Sequence, residues 1–441
     1  MKSARRDFLK KAGIGLLGLP IVGDGLYQTA QGQAPAPSGK KKLGKAKSVI
    51  QFWMWGGPSQ LETFDPQPGA GKEYYGPWGT PIKTNAPGIE ISQSLPRLAE
   101  CADMCAYIRS MTHGDNGHET AAYMVQTGRV SGGNLVYPAL GAIISLLKGY
   151  KYGYDSAIPP YIILTNPLGR FSECGFLGTA YKPYATGSDP NARRFLANGF
   201  VLDGVDDKRK ERRLTLLDSV DLYGKVVKDN SLMTDLEQAR QGAFGVLTGE
   251  EVKTFDLSTE TDEVREAYGR TKIGQSCLMA RRLVEKGVPY IAINYGGGWD
   301  THSRHFEHLT RFQPEWDKAL SFLLKDLRDK GLLDTTVIWW GGEFGRPPKI
   351  DYNPPWFGGR GHYGPCYSNM LAGGGIKGGS VVGATDKGEK PTKRPVKVQD
   401  FLGTICMLMG LDPDAPMAND KGIEVPIMAP ASENGLLYEI L

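Results

Sequence analysis

Asp300-Thr301-His302 sets a carboxylate and an imidazole two residues apart. On an extended or looped backbone both side chains can face one cavity. Glu343 supplies a hard oxygen just after an apolar run, and His362 stands between Gly361 and Tyr363, where backbone can approach closely. Carboxylate and imidazole together form the ligand set of Zn, Mn or Fe, whereas carboxylate with water suits Mg or Ca. A divalent cation among such groups would polarise an ester oxygen or activate a water. A second group, His113, Asp115, Asn116, His118 and Thr120, follows the run ending at Arg109, and Ser59, Glu62 and Asp65 follow the first apolar run. Competing structural roles exist for each. Glu343 and Arg346 can form an internal ion pair, His113 and His118 can cap a following helix, and His305 and His308 read as solvated residues at a helix start.

The elements that must position these groups alternate in type. Strand-like runs are expected at 49–55, 106–109, 161–164, 290–294 and 335–340. Helices are expected at 96–104, 119–126, 137–147, 273–286, 315–330 and 399–409. Such alternation predicts an α/β fold with a mostly parallel sheet covered on both faces. Ligands in that class bind beyond the carboxyl ends of the strands. All six histidines fall in three of the post-strand loops, so the candidate site is expected at that rim. From 188 to 270 charges crowd in and the pattern turns helical, which reads as a helical insertion.

The N-terminus is set apart. Arg5-Arg6-Asp7-Phe8-Leu9-Lys10 precedes a short apolar stretch, the pattern of a twin-arginine export signal, here assigned to 1–33 with a linker at 34–47. The body then begins at 48. Residues 1–47 carry ten Lys/Arg against two acids, leaving 42 basic and 46 acidic residues in the rest. A mildly acidic body argues against a nucleic-acid partner. No apolar run is long enough for a spanning helix. Six cysteines in 441 residues are too few for a disulfide framework.

Several phrases carry a resemblance. Trp55-Gly56-Gly57-Pro58-Ser59-Gln60-Leu61-Glu62-Thr63-Phe64-Asp65-Pro66, Arg109-Ser110-Met111-Thr112-His113, the run 280–288, Gly298-Trp299-Asp300-Thr301-His302 and Gly342-Glu343-Phe344-Gly345-Arg346 resemble the exported, sulfatase-like family called domain of unknown function 1501. That family is similar to the alkaline phosphatase/sulfatase superfamily. The resemblance covers nearly the whole chain and implies an alkaline-phosphatase-like α/β/α sandwich. The unit 318–345 resembles the sulfatase helix–strand unit, with Glu343 at the place of a metal-binding Asp and Phe344, which cannot coordinate, at the place of a second ligand. The stretch 118–128 resembles the nucleophile helix and puts His118 at the nucleophile position. No Cys-x-Pro-x-Arg occurs, so no formylglycine is implied. Where the superfamily ends its first strand in Asp-Asp, this chain has Trp55-Gly56-Gly57, with Glu62 or Asp65 as substitutes. Asp300, His302 and His362 correspond to the Asp/His/His set of a second metal.

Three readings stay open on the sequence. In one, the protein is an exported metal-dependent hydrolase of phosphate or sulfate esters, acting on a small-molecule or glycan ester with Zn, Mn, Ca or Mg. Its metal ligands are Asp300, His302, Glu343, His362 and Asp65, and its catalytic candidates are His118, Thr120 and His113, with His118 as nucleophile or as third imidazole ligand. In another, a scaffold without catalysis binds carbohydrate through loop aromatics such as Tyr74, Tyr75, Trp78, Tyr352, Trp356 and Phe357. In the last, it is a structural partner in the cell envelope.

Overall fold

The computed structural model describes residues 44–167, 173–193, 195, 250–295, 298–419 and 422–441. The expected export signal and most of the expected linker and helical insertion lie outside them. The chain is already docked at Gly44, four residues before the expected start. Gly44 and Ala46 donate backbone hydrogen bonds to Met407 and Leu408.

Eight strands make the central sheet: β1 (Ser48–Met54), β2 (Cys105–Met111), β3 (Tyr161–Leu164), β4 (Tyr184–Ala185), β5 (Tyr290–Tyr295), β6 (Thr336–Gly341), β7 (Tyr367–Gly373) and β8 (Ser380–Val382). Their order is β8-β2-β7-β6-β1-β5-β3-β4. Every pairing is parallel except the two made by β7. All seven β1 residues are buried, as a parallel strand covered on both faces requires. Ile50, Phe52 and Met54 join one apolar cluster and Val49 and Trp53 the other.

Helices cover both faces, which makes an α/β/α sandwich. α1 (His118–Thr127), α2 (Leu140–Lys148) and α5 (Val398–Leu408) pack on one face through Val125, Ile143 and Ile405. α3 (Lys272–Glu285) and α4 (His305–Asp329) pack on the other through Leu278, Trp316 and Leu320. α4 starts ten residues before the expected helix because Pro314 lies inside it. A proline removes one hydrogen bond and reads in sequence as a boundary, yet here the helix runs on through it. The expected helix 96–104 is broken into Pro96–Ala99 and a 3-10 turn at Ala102–Met104.

Register places the site. Trp53 of β1 pairs with Asn294 of β5 and Gly341 of β6, so three neighbouring strands end together. β7 runs the other way, so the loop that enters it, 342–366, reaches the same rim. Gly341 is required there because a Cβ would meet the Asn369 side chain at 2.2 Å.

Candidate metal centre

Four side chains converge at this rim. One ligand atom each from His118, Asp300, His302 and His362 lies within 4.8 Å of the others. Asp300 and His302 come from the loop after β5, His118 from the first turn of α1, and His362 from the long loop before β7. His302 Nε2 and His362 Nε2 stand 3.0 and 3.1 Å from Asp300 Oδ1, and 2.8 Å from each other. His118 Nε2 stands 3.3 Å from Asp300 Oδ2. All four are half-buried, so the cluster opens to solvent.

The outer ring nitrogens fix how the inner ones face. His118 Nδ1 is 2.6 Å from Glu343 Oε1, and His362 Nδ1 is 2.9 Å from the carbonyl oxygen of Asn116. A carboxylate and a carbonyl can only accept, so each Nδ1 carries the hydrogen. Both Nε2 atoms therefore face Asp300, where they donate to its carboxylate without a cation and would offer lone pairs to a cation once that second hydrogen is lost. That is how metal-ligating histidines are usually oriented. Three aromatic rings hold the imidazoles in place: Trp55 stacks on His118 at 5.1 Å, Phe344 on His362 at 4.6 Å, and Trp356 leans on His302 at 5.3 Å. Phe344, unable to coordinate, packs instead.

Charge is balanced by a buried guanidinium. Arg346 donates to Asp300, to the carbonyls of Gly56 and Gly57, and to those of Arg360 and Gly361. The expected Glu343–Arg346 pair is replaced by Arg346–Asp300. Burial alone would raise the Asp300 carboxyl, but hydrogen bonds from His118, His362 and Arg346 outweigh it and hold the group well below the usual carboxylate range. Hydrogen bonds to Asp300 and Glu343 push His118 up to about 9. Burial pushes His302 down, toward the neutral ring that a ligand must be. Gly56 makes the close approach possible. Its φ is 110°, and a Cβ there would sit 2.4 Å from the Asp300 nitrogen.

A second buried layer supports the loops. Glu62 receives Arg360 at 2.7 Å and His305 Nε2 at 3.0 Å, and His305 Nδ1 faces the Thr301 hydroxyl at 2.5 Å. Burial opposes ionisation of Glu62, but Arg360 and then His305 overcome it and hold the carboxyl at about 2. Burial pushes the His305 imidazole down, and because a carboxylate only accepts, the ring donates from Nε2 to Glu62. The expectation of a solvated His305 is corrected: the residue is fully buried and bonds the threonine between Asp300 and His302. His308 is partly buried on the next turn.

The remaining candidates divide. Glu343 is fully buried and lies one hydrogen bond behind the cluster, with Oε1 also accepting from Gly56 N–H at 2.8 Å. His113 donates from Nε2 to the Glu343 carbonyl at 2.7 Å and accepts the Asp115 N–H at Nδ1. Both ring nitrogens are engaged and none faces the cluster, so the ring joins the loops after β2 and β6. Thr120 is exposed, touches only the Gly117 carbonyl at 3.4 Å, and lines a cleft with Tyr123, Thr127 and Tyr137 rather than the cluster. Asp65 is buried elsewhere, with Thr385, Gln67 and, at 3.8 Å, Arg109. Asn116, named above with the second loop group, contributes its backbone carbonyl, Arg346 pairs with Asp300 in place of Glu343, and Arg360 is the addition that the sequence reading lacks, its one signal being the glycines on either side in Gly359-Arg360-Gly361.

Among known proteins, the family described as protein of unknown function (DUF1501) matches residues 46–434. No curated protein sequence matches the chain. Solved structures with similarity include the lipoteichoic acid synthase LtaP from Listeria monocytogenes, 11% identical, covering 92% of this chain and 80% of that one at a TM-score of 0.39. The PsFucS1 sulfatase from Pseudoalteromonas sp. is 13% identical, with 89% and 70% covered and a TM-score of 0.32. The alkaline phosphatase from the Antarctic bacterium TAB5 is 11% identical, with 84% and 99% covered and a TM-score of 0.36.

Proposed function

The chain belongs to the DUF1501 family, and we propose that it is an exported, metal-dependent hydrolase of phosphate or sulfate esters, carried across the membrane by the twin-arginine machinery. Among the described residues no helix is long and apolar enough to cross a membrane. His118, Asp300, His302 and His362 hold one divalent cation. Three imidazoles with one carboxylate favour Zn or Mn over Ca or Mg, which prefer oxygen. The observation that carries this reading is the capture of both outer hydrogens, on His118 by Glu343 and on His362 by Asn116, which leaves donor nitrogens around Asp300.

When bound, such a cation supplies Lewis acidity to an ester oxygen and to an attacking water. The chain's own residues do the rest. Asp300 brings the one negative charge among the donors. Arg346 holds that carboxylate in place and keeps a positive charge beside the site, which suits an anionic ester. His118, tied at Nδ1 to Glu343, serves as donor rather than nucleophile. Glu343 keeps His118 in one tautomer, and His113 keeps the Glu343 backbone in place. Thr120 and Asp65 have no part in the chemistry.

Hydrolysis of 4-nitrophenyl phosphate and 4-nitrophenyl sulfate tests this. Turnover is expected to vanish with chelator and return with Zn or Mn. Glu343→Ala is expected to lower metal affinity or activity by about 10–100-fold, the usual cost of losing an outer partner of a ligating histidine. Turnover that ignores both chelator and Glu343→Ala removes the cluster from the chemistry.

A further inference from the structure

Exposed aromatic side chains gather on one loop beside the cluster. The loop 351–359 is closed by Asp351 N–H to the Gly359 carbonyl at 3.1 Å and Gly358 N–H to the Asp351 carbonyl at 2.8 Å. Inside it, Trp356 and Phe357 both donate to the Asn353 carbonyl. It is also tied to the start of α4, where Arg304 N–H donates to Trp356 and His305 N–H to Gly358. The loop is therefore fixed to the segment that carries His302. Phe357 and Arg304 both adopt φ of 45°, a region that bulky residues avoid. Such conformations persist only where the surroundings impose them, and they gather at functional sites.

The hydrogen-bonded loop thus presents two exposed aromatic side chains. Tyr352 is 59% and Phe357 60% exposed, although burying either would be favourable. Tyr352 lies against Gly358, its ring 3.6 Å from where a Cβ would stand. Trp356 turns inward, onto His302.

We propose that Tyr352 and Phe357 form a stacking platform for a sugar ring, so that the ester substrate is a glycan whose esterified unit passes Trp356 to reach His302 and Asp300. A pyranose has a flat C–H face that suits an aromatic ring with an apolar body and a wet edge. Exposed Asn353 lies on the same loop, and exposed Arg304 and Glu307 lie where the loop is tied to α4, all of a type to meet its hydroxyls. A preformed loop also pays little ordering entropy on binding. Charge disfavours a lipid surface: Arg304 and Lys349 are offset by Asp351 and Glu307, and anionic membranes select a basic surplus. The proposal rests on the hydrolase reading for the fate of the bound sugar, not for its binding.

Affinity electrophoresis of the full chain through gels containing xylan, laminarin, galactomannan or carrageenan tests it, with pelleting on phosphatidylglycerol/phosphatidylcholine vesicles alongside. At least one polysaccharide is expected to retard the protein. Phe357→Ala and Tyr352→Ala should each weaken that binding about tenfold, while Phe357→Trp retains it. Chelated protein should bind as before. Retardation by none of the four, retardation indifferent to both alanine variants, or vesicle pelleting abolished by them would overturn the platform. Sugar binding by wild-type protein that, as recovered after export, holds no metal and hydrolyses neither ester would overturn the hydrolase reading and leave the platform standing.

Discussion

His118 and Thr120 stand two positions apart on one helix and have opposite fates. The hydrogen on His118 Nδ1 is captured by a fully buried carboxylate, whereas the Thr120 hydroxyl faces an exposed cleft. Thr120→Ala is therefore expected to leave metal content and turnover unchanged, measured on purified enzyme. A large loss would restore Thr120 as nucleophile. His113→Ala removes the bond to the Glu343 carbonyl but no donor to the cation. It should weaken metal binding and spare a residual fraction that excess metal rescues, as read by metal titration. Failure of any excess metal to rescue would mean that His113 does more than position Glu343.

At the scale of elements, the site depends on strand ends and on the turns that follow them. Gly56 sits where β1 hands over to its loop, in contact with Asp300 from the loop after β5. Gly56→Ala adds a Cβ 2.4 Å from the Asp300 backbone at a φ of 110°. It should cost about 1–3 kcal/mol and lower metal content. Gly114→Ala, which meets nothing within 4 Å, is the neutral control in thermal unfolding. The alternation of strands and helices was legible in the sequence because parallel strands are apolar throughout and α/β helices are amphipathic. So was the gathering of Asp300, His302 and His362 at one rim. β7 is not legible because the polar Ser368 and Asn369 interrupt its apolar pattern, although all seven of its residues are buried. Asp65 shares its loop type with true cluster residues, but periodicity cannot say which way a post-strand loop folds. His305 was misread because helix starts are usually wet, and only tertiary packing of the loop 358–362 over α4 buries it.

For the whole molecule, the buried Glu62–Arg360–His305 layer ties together three segments distant in the chain. Removing one partner from such a pair leaves an uncompensated charge, so Glu62→Gln should cost about 3–5 kcal/mol in denaturant unfolding. The pH dependence has a definite sign. Glu62 titrates at about 2 folded against 4.5 in the ordinary state. Its contribution is complete above 4.5 and is lost as pH falls toward about 2. The wild type should accordingly lose stability across that window faster than Glu62→Gln, and parallel curves would contradict the ion pair. Under the proposed twin-arginine export the protein would cross the membrane already folded, so the ion is best counted in natively folded protein rather than after refolding, which invites the wrong metal. Elemental analysis of that material is the most direct measurement. About one Zn or Mn per wild-type chain is expected, the occupancy of a single four-donor site, and close to none in Asp300→Ala/His302→Ala. Equal metal content in the two proteins, or none in either, would contradict the metal centre on which the account stands.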